Sequence, residues 1–390
     1  MASTEAQGRV NFGPIGNASV LVALIGIIGV GVGVATGAVG KQAYMFGFAC
    51  YMAMVLGCLG LTLLHHVCRG SWSLSVLRIL EAGGGPAAVG GLGLAFIPLW
   101  IFRNDFYHHW IHPEHPFAHW FKRAYFTETS WTIRAVMFLA IWFVISLAMR
   151  NSTRRQDTSG DLNEQHFRTN YGVAGLILFI LTVTFASTDW IMSMDPHWTS
   201  SIFGVWFAIS GALMALTFAT ALVLSNRNKA PYNEIVSHHL QKDLGNMCFA
   251  ITMLWAYFTL SQWIIIWSGN LPEFTSYYVL RNQKAGWFLY LGGLNILVGF
   301  FVCWFAFLTP KVKRKPELLI KFCILACLVR FFDLYYCVMP FMRVTFSFWD
   351  IVAVGAFAAL WLAIMGKEST KAPIVPEYDT RLQEIAHHAH

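Results

Sequence analysis

The sequence predicts an all-α integral membrane protein of about ten transmembrane helices, and three observations predict it. Of 390 residues, 56% are hydrophobic and 12% charged, against roughly 25% charged in a soluble domain. The apolar residues gather in separate runs near the roughly 17 to 25 residues that a helix needs to cross a bilayer. The runs lack the short, half-polar alternation of barrel strands, and in hydrocarbon an isolated segment satisfies its own backbone only as a helix.

The runs fall near residues 17 to 38, 43 to 64, 87 to 103, 132 to 149, 171 to 190, 201 to 224, 244 to 267, 286 to 308, 318 to 337 and 349 to 365. The first is too long and uninterrupted for the core of a cleaved signal, so it reads as a retained span. The expected organisation is a tail over 1–16, a polytopic membrane domain over 17–366 and a second tail over 367–390.

Most of the 27 Lys and Arg residues fall in alternate loops and in the tails, among them Arg69, Arg150, Arg154, Arg155, Arg168, Arg227 and the KVKRK turn at 311 to 315. Cations of short loops stay cytoplasmic, so both termini are expected in the cytoplasm. The formal charge of +7 then reads as topology. A nucleic-acid surface would need a soluble basic face, whereas the longest basic cluster is a five-residue turn suited to anionic headgroups.

The eight cysteines are scattered singly, with no CxxCH for a covalent haem and no paired CxxC for zinc or an iron–sulfur cluster. A haem b needs two imidazoles facing each other from different helices, but the histidines sit at run ends or in loops. No metal or redox cofactor is expected on this chain. The outer loop NDFYHHWIHPEHPFAHWFKR, 104 to 123, interleaves histidines with rings and reads as an interfacial loop docking against neighbouring subunits.

Two stretches carry expensive polar groups. STDWIMSMDPHW, 187 to 198, sets Asp189, Asp195 and His197 where the fifth span ends. LVRFFDLYYCVMP, 328 to 340, places Arg330 and Asp333 inside the ninth span, roughly 18 and 22 Å from its inner end at 1.5 Å per residue. Ionisable groups at such depth face a bundle interior or a hydrated cavity. Gln262 of the seventh span reaches a similar level, so Asp189, Gln262, Arg330 and Asp333 are expected to line one outer-half pocket, with His197 and Asp195 beside it. A second set, His65, His66, Glu81, His238, His239 and Asp243, lies on the inner side. Its histidines suit proton collection, although inner-loop polar groups mostly face water.

The strings STDWIMSMDPHWTSSIFGVWF (187 to 207), DLGNMCFAITMLWAYFTLSQWIIIWSGNLPE (243 to 273) and RFFDLYYCVMP (330 to 340) resemble the ActF family. These are membrane subunits of bacterial alternative complex III, a quinol:cytochrome c oxidoreductase of the respiratory electron transport chain. The likeness runs over about residues 40 to 365. It implies kinship with NrfD and polysulfide-reductase membrane subunits, two four-helix bundles plus two extra helices, and a place in the bacterial inner membrane. The partners it implies are an NrfD-like paralogue, multihaem and monohaem cytochromes c, an iron–sulfur protein, small membrane subunits, lipids and a terminal oxidase. Haem c and iron–sulfur clusters would belong to those partners, and quinone or quinol is the small molecule brought near this chain.

Three functions of different class follow. The chain handles quinol or protons within an oxidoreductase; it is a cofactor-free scaffold for cytochrome subunits; or it is an independent secondary transporter. The transporter fits least, because transporter sites sit at broken helices near the midplane. Quinol oxidation releases protons, so Asp189, Asp333, Arg330 and Gln262, with His197 and Asp195, are expected to form a proton pathway to the outer surface.

Overall fold

The computed structural model describes residues 9–113, 120–195, 198–284, 286–342, 345–379 and 381. Among them there is no strand, and nine helices are long and apolar enough to cross a membrane. The long helices are α1 (Gly13–Thr36), α2 (Ala38–Cys68), the two halves α3 (Leu74–Gly83) and α4 (Pro86–Ile101), α5 (Glu128–Ser159), α6 (Asn163–Trp190), α7 (Phe203–Ser225), α8 (His238–Gly269), α9 (Trp287–Leu308), α10 (Pro316–Val338) and α11 (Phe348–Ser369). All ten expected spans are helical. The ninth, α10, is the one expected span outside those nine, because it carries Glu317, Lys321, Arg330 and Asp333.

Helices α2, α4, α5 and α6 form one four-helix group, and α7 to α10 form the second. Helices α2 and α7 are the most buried and pack on each other between the two groups. Helices α1 and α11 pair along their length on one flank, where Gly26 meets Ala356 and Gly16 meets Gly366. Without a hydrophobic drive between helices in lipid, such close backbone contact supplies the packing energy. The rest of α1 turns Leu21, Ile25 and Ile28 outward.

The central crossing depends on two glycines. A Cβ on Gly57 would lie 2.0 Å from the Gly211 carbonyl oxygen, and one on Gly211 would lie 2.4 Å from that of Ala53. Gly57→Val is expected to destabilise the protein by at least the about 1–3 kcal/mol typical of overpacking. The midpoint of thermal unfolding in detergent measures this; an unchanged midpoint would show that the helices part without cost.

The third span departs from its expected extent. Residues 71–83, read as a solvated inner loop, instead begin the crossing, and every residue of α3 is buried. The chain breaks at Gly83, Gly84 and Gly85, and Pro86 starts α4 where its missing N–H costs nothing. The break stays satisfied because Trp361 Nε1 donates to the Gly83 carbonyl at 3.0 Å. The Gly84 backbone approaches Leu59 too closely for a side chain.

The tails are shorter and better packed than expected, since α1 begins at Gly13 and α11 runs to Ser369. The Val10 amide donates to the Ala230 carbonyl at 2.8 Å, and Arg381 donates to the Arg69 carbonyl at 2.5 Å. Both terminal segments therefore cover the same end of the bundle. Caps mark other boundaries: Thr127 accepts from Ser130 N, Ser237 from Leu240 N, and Ser347 forms a capping box with Asp350.

Candidate functional site

The densest polar assembly lies at the terminus-bearing end. Helix α2 delivers His65 and His66, α3 delivers Arg78 and Glu81 three residues apart on one face, and the end of α5 delivers Thr153, Gln156 and Asp157. Helix α6 adds Arg168, and the tail adds Asp379 and Arg381. Arg78 bridges two carboxylates, with Nη1 at 3.0 Å from Glu81 Oε2 and Nη2 at 2.5 Å from Asp157 Oδ1. Thr153 Oγ1 donates to Glu81 Oε1 at 3.1 Å. Arg168 donates to Ser152 and Gln156. His65 Nδ1 is bonded to the Ser73 hydroxyl.

His65, His66, Arg78, Glu81, Gln156 and Arg168 line a polar cavity of about 20 Å³, room for a water molecule. His66 Nε2 stands 3.9 Å from Glu81 Oε1, too far for a direct hydrogen bond. That nitrogen, Arg78 Nε, Gln156 Nε2, Asp157 Oδ2 and Arg168 Nε are buried with no protein partner. Buried polar atoms left over in this way are met by ordered water. The tail forms one wall. Burial alone would raise the Asp379 carboxyl, but the two-pronged Arg381 guanidinium outweighs it and holds that acid below the ordinary carboxylate range.

The structure thus gathers His65, His66 and Glu81, and it places them inside rather than in solvent: His65 is 1% exposed and Glu81 7%. The expected solvation fails because α3 is a buried half-helix rather than a loop. His238 and Asp243 are elsewhere, on the first turns of α8, with His238 exposed and Asp243 paired to the exposed His239 at 3.1 Å.

The outer-half residues do not share one pocket. Asp189 is fully buried and pairs with Arg134 of α5 at 2.6 Å, whose guanidinium lies over the Tyr125 ring. Arg330 pairs with Asp333 at 3.1 Å and stacks 3.7 Å over the Trp255 ring, while Trp255 Nε1 donates to Asp333 at 2.9 Å. Helix α7 packs against both α6, which bears Asp189, and α10, which bears Asp333. Gln262 accepts from Ser200 at 3.3 Å. Asp195 is half-buried in the turn after α6, and His197, like His115 and His119 of the outer loop, lies outside the described residues.

A larger apolar cavity of about 360 Å³ opens between α2, α7, α10 and α11, lined by residues such as Met54, Phe218, Ile324, Phe331 and Trp361. Its two hydroxyls are committed, Tyr51 to the Ala88 carbonyl and Ser225 to that of Ala221. It fits an aliphatic chain, and its polar wall atoms, the Tyr51 and Ser225 hydroxyls and the Cys50 and Cys327 thiols, leave a quinol head only shared or weak partners. The inner cluster is polar but holds only a water-sized space. The residues present therefore do not fit a complete quinol in either cavity.

Fold and site together define a multi-pass helical membrane protein with three buried ion-pair clusters among the described residues, one of them beside a water-sized polar cavity. Comparison with protein-family models and with curated proteins finds no match.

Proposed function

We propose that the chain is a proton-handling, membrane-integral subunit of a quinol:cytochrome c oxidoreductase of the alternative complex III type, held in a bacterial inner membrane with both termini cytoplasmic. The class of complex rests on the three strings that resemble the ActF family. The observation that carries the proton role is the buried set of His66, Glu81, Arg78 and Arg168 around a water-sized polar cavity, with Asp157 holding Arg78 from behind. Quinol oxidation and the haem and iron–sulfur carriers are assigned to partner subunits.

In this reading a cavity water bridges His66 Nε2 and Glu81. A proton that enters on that water passes to the imidazole or to Glu81 and returns to the water as it leaves, so the water is neutral before and after each passage, and Arg78 orients the Glu81 carboxyl that faces it. Thr153 and Arg78 fix the two Glu81 oxygens, so a proton arriving there meets an oriented acceptor. Positioned proton-transfer groups contribute typically about 10²–10⁴-fold. Glu81→Gln, which keeps the shape and the Thr153 acceptor, is expected to slow coupled turnover at least about tenfold in the purified, fully assembled complex. Quinol oxidation and proton movement are read together in liposomes. If both are unchanged in an assembled complex, the cluster is structural and the chain is a scaffold.

A further inference from the structure

The π-helical stretch Asn295–Val302 inside α9 brings a second unsatisfied polar site to the middle of the bundle. Wide π turns inside α-helices occur often at functional positions. Here the stretch faces α10. Before it, a Cβ on Gly292 would touch the Tyr336 ring at 3.1 Å; within it, one on Gly299 would lie 2.6 Å from Arg330 Nη2. Asn295 falls between these contacts and is 4% exposed, which sets it level with Asp333.

Neither amide atom of Asn295 has a protein partner, and neither do Arg330 Nε and Nη2. Only Arg330 Nη1 is engaged, by Asp333. The orphan set comprises donors on the guanidinium and the amide nitrogen and one acceptor, the amide oxygen. The adjoining charges cancel, since the Asp333 carboxylate neutralises Arg330. A cation would meet mostly donors, and an anion would meet Asn295 Oδ1 and Asp333. A molecule that both accepts and donates, small enough for a closed helix interface, meets the set.

We propose that Asn295 and Arg330 hold ordered water deep in the second helix group, beside the close approach of α9 to α10 that Gly299 permits. Water there donates to the Asn295 oxygen and accepts from Arg330 Nε or Nη2, supplying what the π stretch and the ion pair leave unmet. This inference is independent of the oxidoreductase reading, because it concerns only the hydration of α9 against α10.

X-ray hydroxyl-radical footprinting of the purified full chain tests it, since radicals generated from bound water label adjacent side chains that bulk solvent does not reach. Trp255, 2% exposed and stacked on Arg330, is the reporter. Labelling of Trp255 well above that of the equally buried Trp142 of α5 is expected, and Asn295→Leu should lower it severalfold. Trp255 labelling no higher than that of Trp142 overturns the proposal, as does labelling that Asn295→Leu leaves intact. Should the variant fail to fold, the comparison within the native protein still decides. A rise in thermal midpoint for Asn295→Leu would also count against hydration, because it would mean that the amide was dry and unmet.

Discussion

Arg78→Ala is expected to cost the protein at least about 3–5 kcal/mol, the range for breaking a buried pair by removing one partner. The residue bonds Glu81 and Asp157 at once, and the side chains of all three are at most 12% exposed. Without the guanidinium, two buried carboxylates lose the cation they share, and at least one must take up a proton to remain inside. The cluster ties α2, α3 and α5 to the C-terminal segment, so the loss should propagate to how that end closes. Thermal unfolding in detergent reads the effect, with Arg78→Lys as the control that keeps charge but not the fork. Lys is expected to fall between native protein and Ala, because one ammonium cannot serve both acids in the same geometry. Equal midpoints for all three would mean that the carboxylates are solvated and the cavity is open to bulk water.

The architecture was legible because its signal is long and collective. The ten apolar runs are all helical, nine of the helices being long and apolar enough to cross a membrane, and the grouping into two sets of four with α1 and α11 outside follows from which helices pack. Arg330 and Asp333 were also legible, since an Arg and an Asp three residues apart in an apolar run have few partners but each other. The inner cluster was only half legible. His65, His66 and Glu81 stand out as residue types, but Arg78 and Asp157 do not, because both flank polar stretches in the sequence. The missed signal was periodicity. LSVLRILEAG, 74 to 83, is helical in pattern, and the triple glycine with proline after it is the break that lets a half-helix enter the membrane.

Depth along a helix also proved a poor guide to proximity. Asp189, Gln262 and Asp333 were placed at similar inferred levels on three spans, and rise per residue carries no information about which faces meet. The partner of Asp189 is Arg134, read as a topogenic charge near the outer end of the fourth span, yet its side chain turns inward and is 14% exposed. Single-sequence reasoning had no means of choosing between Arg134 and Arg330 as the neutralising cation for that acid. Two ion pairs on either side of α7 resulted where one pocket was expected.

Arg330→Leu is expected to destabilise the protein by about 3–5 kcal/mol while the double variant Arg330→Leu/Asp333→Leu loses much less. Arg330 is 1% exposed, and its charge is held by Asp333 and the Trp255 ring alone among the described side chains. Removing it leaves Asp333 with the Trp255 N–H but no countercharge, so the carboxylate either stays charged at high cost or becomes protonated. Replacing both residues removes the unmet charge with its partner, and a leucine pair in a helix interface also lowers the insertion cost of α10 by about 3 kcal/mol for each ionisable group lost. Asp333→Leu alone should be as harmful as Arg330→Leu, since it strands a guanidinium whose Nε and Nη2 already lack protein partners. The four unfolding midpoints form a double-mutant cycle, which isolates the coupling between the two side chains. A strongly favourable coupling with a stable double variant identifies the pair as a charge-balancing device that function, rather than stability, retains. Additive losses would mean that the two side chains act separately, with water or another group compensating each charge on its own.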